Sequence, residues 1–75
     1  MSLEEILTSL YASEINVLIS WFWDGRIEVK LGDELNGYKA EGKVLTVADV
    51  AEWLREQACR CYPASGFAKR FARDG

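Results

Sequence analysis

The sequence predicts an α+β domain of 75 residues in which a helix, three antiparallel strands and a second helix follow one another. The pair Asp24-Gly25 lies between two β-rich segments, which is a strong signal for a β-hairpin. Segments with apolar residues at helical spacing come before and after the strands. If both helices cover the same face, the chain is a two-layer α-β-β-β-α sandwich with a three-stranded antiparallel sheet, helices on one face and a short C-terminal helical turn.

A first helix is predicted from Ser2 to about Ala12. Ser2 and Glu5 have the spacing of a capping box, in which two side chains accept hydrogen bonds from backbone N–H groups at the start of the helix. Apolar side chains then recur on one stripe, which we expect to be buried: Leu3, Ile6, Leu7, Leu10 and Tyr11.

The hairpin from Ile15 to Asp33 shows both its turn and its buried face. A two-residue loop would mix apolar and charged side chains on each face of the sheet. A three-residue loop of Trp23, Asp24 and Gly25, with the glycine in the left-handed bulge position, gathers the odd-numbered apolar residues on one face. Register follows the buried pattern, so this loop is expected. The predicted pairs are Trp21 with Ile27, Ile19 with Val29 and Val17 with Leu31, all on the core face.

A polar turn from Gly32 to Gly37 precedes the third strand, residues 38–44. Apolar or small residues alternate there with charged ones, which is typical of a strand at the edge of a sheet. Its charged residues, Lys39, Glu41 and Lys43, would keep that edge from pairing with other chains.

Thr46 is the expected N-cap of the second helix, with Asp49 in the capping-box position, and Pro63 marks the end of the helix. Its buried stripe is predicted to contain Val47, Val50, Ala51, Leu54, Ala58 and Cys61. Its solvent side contains Asp49, Glu52, Glu56 and Arg60. Ser65 then caps a short last helix, whose Phe67 and Phe71 are spaced so that both can contact one apolar surface.

Composition indicates one globular domain, residues 1–75, with three Trp, three Tyr, three Phe and a net charge of −3. No apolar run approaches the roughly 18 residues needed to span a bilayer, and acidic residues lie where a signal peptide would be basic. Cys59 and Cys61 would point about 200° apart on a helix, too far for an internal disulfide. We expect a cytoplasmic protein with reduced thiols.

Nothing in the chain favours catalysis, a cofactor or a metal. Without histidine, the most frequent general base and the usual partner of a Ser or Cys nucleophile are missing. The two cysteines lack the further ligands of a zinc site. Cys59 is the better candidate for a reactive thiol, whereas Cys61 is expected in the core. Oxygen ligands cluster at residues 33–37, but turn chemistry explains them better than an EF-hand does.

The leading functional hypothesis is a small non-catalytic protein-interaction module, able to form a weak homodimer or to bind an unknown protein. The even-numbered face of the sheet would expose Leu18 and Phe22 among charged residues. Trp23 lies in the turn and Trp53 at the edge of the second helix's buried stripe, and partly exposed tryptophan is favoured in interfaces. The proposed contact residues are thus Leu18, Phe22, Trp23 and Trp53.

The alternative is a nucleic-acid-binding module that uses the basic end of the chain. Residues 58–75 hold four basic and one acidic side chain, whereas residues 1–57 hold five basic and eleven acidic ones. Basic groups would neutralise phosphates and aromatic rings would stack on bases. The residues are Lys69, Arg70 and Arg73 with Phe67 or Phe71. A pI near 4.8 and an acidic second helix argue against this alternative, so we do not expect nucleic acid as a partner.

The order α-β-β-β-α and the chain length resemble double-stranded RNA-binding domains at the level of the fold. Members of that family read phosphates with a lysine cluster that opens the last helix, where this chain has the sequence VADVAE from Val47. The resemblance therefore implies the fold and not RNA binding. The chain is also similar to small uncharacterised bacterial proteins of unknown function with a tryptophan-rich hairpin, a Trp-Leu helix such as Trp53-Leu54 and a Tyr-Pro break such as Tyr62-Pro63.

Overall fold

The predicted α+β sandwich is confirmed by the computed structural model, which describes residues 2–72. The strands form one antiparallel sheet in the order β1-β2-β3, with β1 and β3 at its edges. The elements are α1 (Leu3–Ala12), β1 (Val17–Trp21), β2 (Ile27–Asp33), β3 (Gly37–Val44), α2 (Val47–Cys61) and α3 (Gly66–Phe71).

The β1–β2 hairpin has the predicted three-residue loop and register. The Phe22 N–H donates to the Arg26 carbonyl over 2.9 Å, and the Gly25 N–H donates to the Phe22 carbonyl over 3.0 Å. Gly25 has a φ of +93°, as a glycine in the bulge position requires. Val17, Ile19 and Trp21 pair with Leu31, Val29 and Ile27, so the buried pattern fixed the register as expected.

The core lies between the odd-numbered face of β2 and the three helices. Ile27, Val29 and Leu31 are almost completely buried there, whereas the expectation that Trp21 is part of the core is wrong, since 57% of it is exposed. Helix α2 packs on β2 and β3, and within residues 2–72 no helix approaches β1 as closely. The core is completed by Ile6, Leu10, Ile15, Val50, Ala51, Leu54, Ala58 and Phe67.

Helix α2 runs antiparallel to β3 across the sheet. Midway along it, the indole of Trp53 lies against Gly42, where a Cβ atom would be only 2.6 Å from the indole Cε2. At its end the Cys61 thiol lies 3.9 Å from the Lys39 carbonyl. The predicted caps are present, because Ser2, Thr46 and Ser65 each accept a hydrogen bond from a backbone N–H of the helix that follows.

Helix α3 is held against both longer helices. The Ser13 hydroxyl accepts from the Phe67 N–H over 3.0 Å, and Arg70 donates to the Ser9 hydroxyl over 2.9 Å. From the α2 side, Arg55 donates to the Phe71 carbonyl over 3.5 Å. These contacts join residues far apart in the chain, so the short helix belongs to the core layer.

Of the predicted buried stripes, Tyr11 and Val47 are exposed, whereas Leu3, Leu7 and Cys61 are partly buried and pack against the core. Tyr11 is 86% exposed, because it belongs to the last turn of α1 and faces away from the stripe of Ile6 and Leu10. Val47 is also exposed, since it is the first residue of α2 and precedes the turn that carries Val50 into the core.

Candidate protein-contact surface

The backbone of β1 presents unpaired polar groups at the free edge of the sheet. At one end of the hairpin ladder the Phe22 N–H donates to the Arg26 carbonyl. At the other end the Asn16 carbonyl accepts from the Gly32 N–H over 2.7 Å. Bonded and non-bonded pairs alternate in an antiparallel ladder, so the even-numbered residues between these ends point their backbone groups toward β2. The N–H and C=O groups of Val17, Ile19 and Trp21 therefore point away from the sheet.

Three apolar side chains of β1 and of the turn that follows it are exposed. The exposed fractions are 43% for Leu18, 57% for Trp21 and 99% for Trp23, and we call these three residues the β1 surface. The five residues of β1, VLISW, carry no charge, and their pairing with β2 is regular. An uncharged, regular edge strand without proline is the kind of edge that pairs with another strand.

The opposite edge of the sheet is protected by charge. Lys39, Glu41 and Lys43 of β3 are all exposed, as predicted for an edge strand. The Lys30 ammonium lies 3.5 Å from the Glu41 carboxylate on the open face. A second protein would have to displace these hydrated charges to pair with β3, so β1 is the more accessible edge.

A solvent-open hollow of about 610 Å³ lies beside the start of β1 and is lined by Tyr11, Ala12, Glu14, Ile15 and Asn16. The chain turns sharply here, because Glu14 has a φ of +59° and the Ile15 N–H donates back to the Leu10 carbonyl. This turn leaves the exposed Tyr11 ring at one side of the hollow. The hollow and the fully exposed Trp23 thus lie at opposite ends of β1.

The other two predicted contact residues are less available than Leu18 and Trp23. Phe22 is half-buried, and the Arg26 guanidinium lies 4.5 Å from the centre of its ring. Trp53 is half-buried and packs on the core against Gly42. Leu18, Trp21 and Trp23 therefore follow one another along β1 and its turn, with Leu18 on the open face of the sheet and Trp21 on the helix-facing side. Trp53 lies instead against β3.

The basic residues of the nucleic-acid alternative lie on α3, apart from Arg73, which is outside the described residues. Lys69 and Arg70 are exposed, but Phe67 is only 1% exposed and cannot stack on a base. The Phe71 ring lies 4.7 Å from the Phe67 ring and is partly covered by the Arg70 guanidinium. The structure thus removes one of the two proposed stacking groups.

Chemically reactive groups are few in the described part of the chain. Burial raises the pKa of the Cys59 thiol, which lowers the fraction of nucleophilic thiolate. In the predicted oxygen cluster, the Asp33 carboxylate accepts from the Asn36 N–H and the Asn16 side chain, both over 2.7 Å. These bonds hold the pKa of Asp33 below its ordinary value of 3.8 and confirm the turn interpretation. Within residues 2–72 no three Cys, Asp or Glu side chains gather as a metal site would require.

Sequence reasoning missed the exposure of Trp21 and the burial of Arg55. Arg55 lies at the core edge of α2, where its guanidinium bonds Glu52 over 2.7 Å and reaches Phe71. Its position next to Leu54 in the buried stripe was a signal for partial burial. No pattern within β1 distinguishes Trp21 from Ile19, because the difference arises from where α2 lies across the sheet.

Comparison of the chain with protein-family models, curated proteins and solved structures finds no match. The family resemblances therefore stay predictions. In the described residues, no helix combines the length and the apolar character needed to cross a membrane.

Proposed function

We propose that this protein is a small, non-catalytic protein-interaction module that binds through the β1 surface. The observation that carries the proposal is the exposure of Leu18 and Trp21 on the uncharged edge strand β1 and of Trp23 in the turn that follows it. Tryptophan is enriched among the residues that dominate binding energy in protein interfaces. An exposed strand edge adds backbone hydrogen bonds to such side-chain contacts.

The unfavourable free energy of leaving these apolar side chains in water supports the proposal. Each apolar side chain that leaves water contributes free energy in proportion to its area, at roughly 25 cal/mol per Å². Burial of Trp21 and Trp23 in a contact would therefore contribute a large favourable free energy to association. Two free thiols, Cys59 and Cys61, suit a reducing compartment, so we place the interaction in the cytoplasm.

The test is affinity capture with a tagged bait in an extract of the cells that make the protein, supplemented with an untagged copy of the chain. The baits are the wild type, Trp23→Ala and the matched control Leu35→Ala. Leu35 is also an apolar loop residue and is 92% exposed, but it lies at the β2–β3 turn. Neither alanine removes buried surface, so both variants are expected to fold.

The proposal predicts a protein, either the untagged copy or another chain, that the wild type and Leu35→Ala retain and Trp23→Ala loses. If no protein shows this dependence on Trp23, the proposed function is wrong.

A further inference from the structure

We infer that the partner of the β1 surface is a second copy of this chain, whose β1 pairs antiparallel with the first about a two-fold axis through Ile19. The two sheets then form one continuous sheet of six strands. This inference rests on the proposed function and gives it a partner and a geometry.

The backbone selects the register of this pairing. Only the odd-numbered residues of β1 have outward N–H and C=O groups, so they must form the bonded pairs with the second strand. A two-fold axis at Ile19 pairs Ile19 with its own copy and Val17 with Trp21 of the second copy. Every outward group of Val17, Ile19 and Trp21 then has a partner, and shifting the register leaves some of them unpaired.

The side chains fit the same register. On the helix-facing side, Ile19 contacts Ile19 of the second copy, and Trp21 contacts Val17 of the second copy. The side chains that α2 leaves partly exposed in one chain therefore cover each other in the dimer. On the open face, Leu18 lies opposite Ser20 of the second copy. No charged side chain of β1 is desolvated, because the strand has none.

The hollow beside Ile15 receives the turn of the other copy. In this register the turn after β1 lies beside the start of β1 of the second copy, so Trp23 comes near Ile15, which lines the hollow. The hollow is open to solvent, and Tyr11 and Ala12 offer apolar surface within it beside the polar Glu14 and Asn16. The two-fold axis makes this contact twice, which fits a second copy better than an unrelated strand.

The decisive variant is Leu18→Glu. In one chain the new carboxylate faces Lys30 across the β1–β2 pair, which favours folding. In the dimer the two introduced glutamates occupy diagonal positions across the axis, with backbones about 7–8 Å apart, so their carboxylates repel each other. Leu45→Glu is the matched control, because it adds the same charge at an exposed leucine beside the far edge of the sheet.

Sedimentation equilibrium should show a monomer–dimer equilibrium for the wild type between about 1 µM and about 1 mM, the range typical of a small interface. Leu18→Glu should raise the dissociation constant at least about tenfold, and Leu45→Glu should leave it unchanged. Circular dichroism shows whether each variant folds. A folded Leu18→Glu protein that dimerises like the wild type overturns the inference.

Amide hydrogen exchange tests the register independently of any substitution. As protein concentration rises, the amides of Val17, Ile19 and Trp21 should become protected. The outward amides of Glu41 and Lys43 on the β3 edge should keep their exchange rates. A dimer that protects the β3 amides, or neither set, excludes this geometry.

Failure of the inference and failure of the proposed function give different results. If the chain stays monomeric to about 1 mM while Trp23-dependent capture of another protein persists, the second copy is excluded and the interaction module stands. If the chain is monomeric and nothing depends on Trp23, both are wrong.

Discussion

At the scale of single residues, two glycines with positive φ show how the hairpins depend on backbone conformation. Gly25 has a φ of +93°, and a Cβ atom there would meet nothing within 4 Å. Gly32 has a φ of +113°, lies at the bulge between β2 and β3, and a Cβ there would be 2.6 Å from the Gly37 carbonyl oxygen. The first position is restricted by backbone strain and the second by strain and steric overlap.

The same substitution at both glycines should separate these two effects. Gly25→Ala is expected to lower the free energy of unfolding by about 1–2 kcal/mol through strain alone. Gly32→Ala should cost more, because the backbone of β3 must also move. Urea unfolding curves measure both. Equal losses at the two positions would show that the overlap at Gly32 relaxes without cost.

Asp33 makes stability depend on pH. Its pKa is below 3.8 in the folded chain, because it accepts hydrogen bonds from the Asn36 N–H and from the side chains of Asn16 and Asn36. The resulting stabilisation is present above the unfolded-state pKa and is lost as the pH falls through the lower folded-state pKa. The hydrogen bonds thus add to the sensitivity of the fold to acid.

Asp33→Asn should therefore be less stable than the wild type at neutral pH and should lose less stability below about pH 4. The measurement is the urea midpoint at several pH values. Glu34→Gln is the control, because it removes one charge from the same loop and leaves these hydrogen bonds intact. If the stability of Asp33→Asn depended on pH as that of the wild type does, Asp33 would not be the group responsible for the pH dependence.

At the scale of secondary-structure elements, the hairpin could be predicted in detail because its turn chemistry and its apolar alternation agree. The bulge glycine and the odd-numbered pattern both require the register in which Trp21 pairs with Ile27. The placement of α3 could not be predicted in this way. It depends on the bond from Phe67 to Ser13, residues 54 positions apart, and no local pattern contains such information.

Helix α2 should supply much of the stability through Leu54, which is fully buried against the sheet. Leu54→Ala is expected to cost about 2–5 kcal/mol, from lost burial and from the cavity left in the core. Val47→Ala, on the same helix at an exposed site, should cost less than about 1 kcal/mol. Urea unfolding compares the two. Similar losses would mean that the helix is not anchored through Leu54.

At the scale of the whole molecule, the candidate surface could be predicted only in part. Leu18 and Trp23 were identified from strand alternation and from the turn. Trp21 was not, because its exposure depends on how far the helical layer extends across the sheet. Phe67 was expected either to contact an apolar surface together with Phe71 or to stack on a base, and its burial against the core agrees with the first expectation only. How far the helices cover the sheet depends on tertiary packing, and the sequence pattern of a single strand or helix does not encode it.

A 75-residue domain buries only roughly 60–65% of its unfolded surface, so its stability alone is modest and association can add to it. If the folded state is the β1-paired dimer, unfolding releases two chains and mass action makes the urea midpoint depend on concentration. Above the dissociation constant, each tenfold rise in concentration should stabilise each chain by about 0.7 kcal/mol. In Leu18→Glu this dependence should begin only at concentrations at least about tenfold higher, whereas Leu45→Glu should behave like the wild type. A midpoint independent of concentration in the wild type would mean that the monomer is the folded unit, and that β1 stays an open edge in solution.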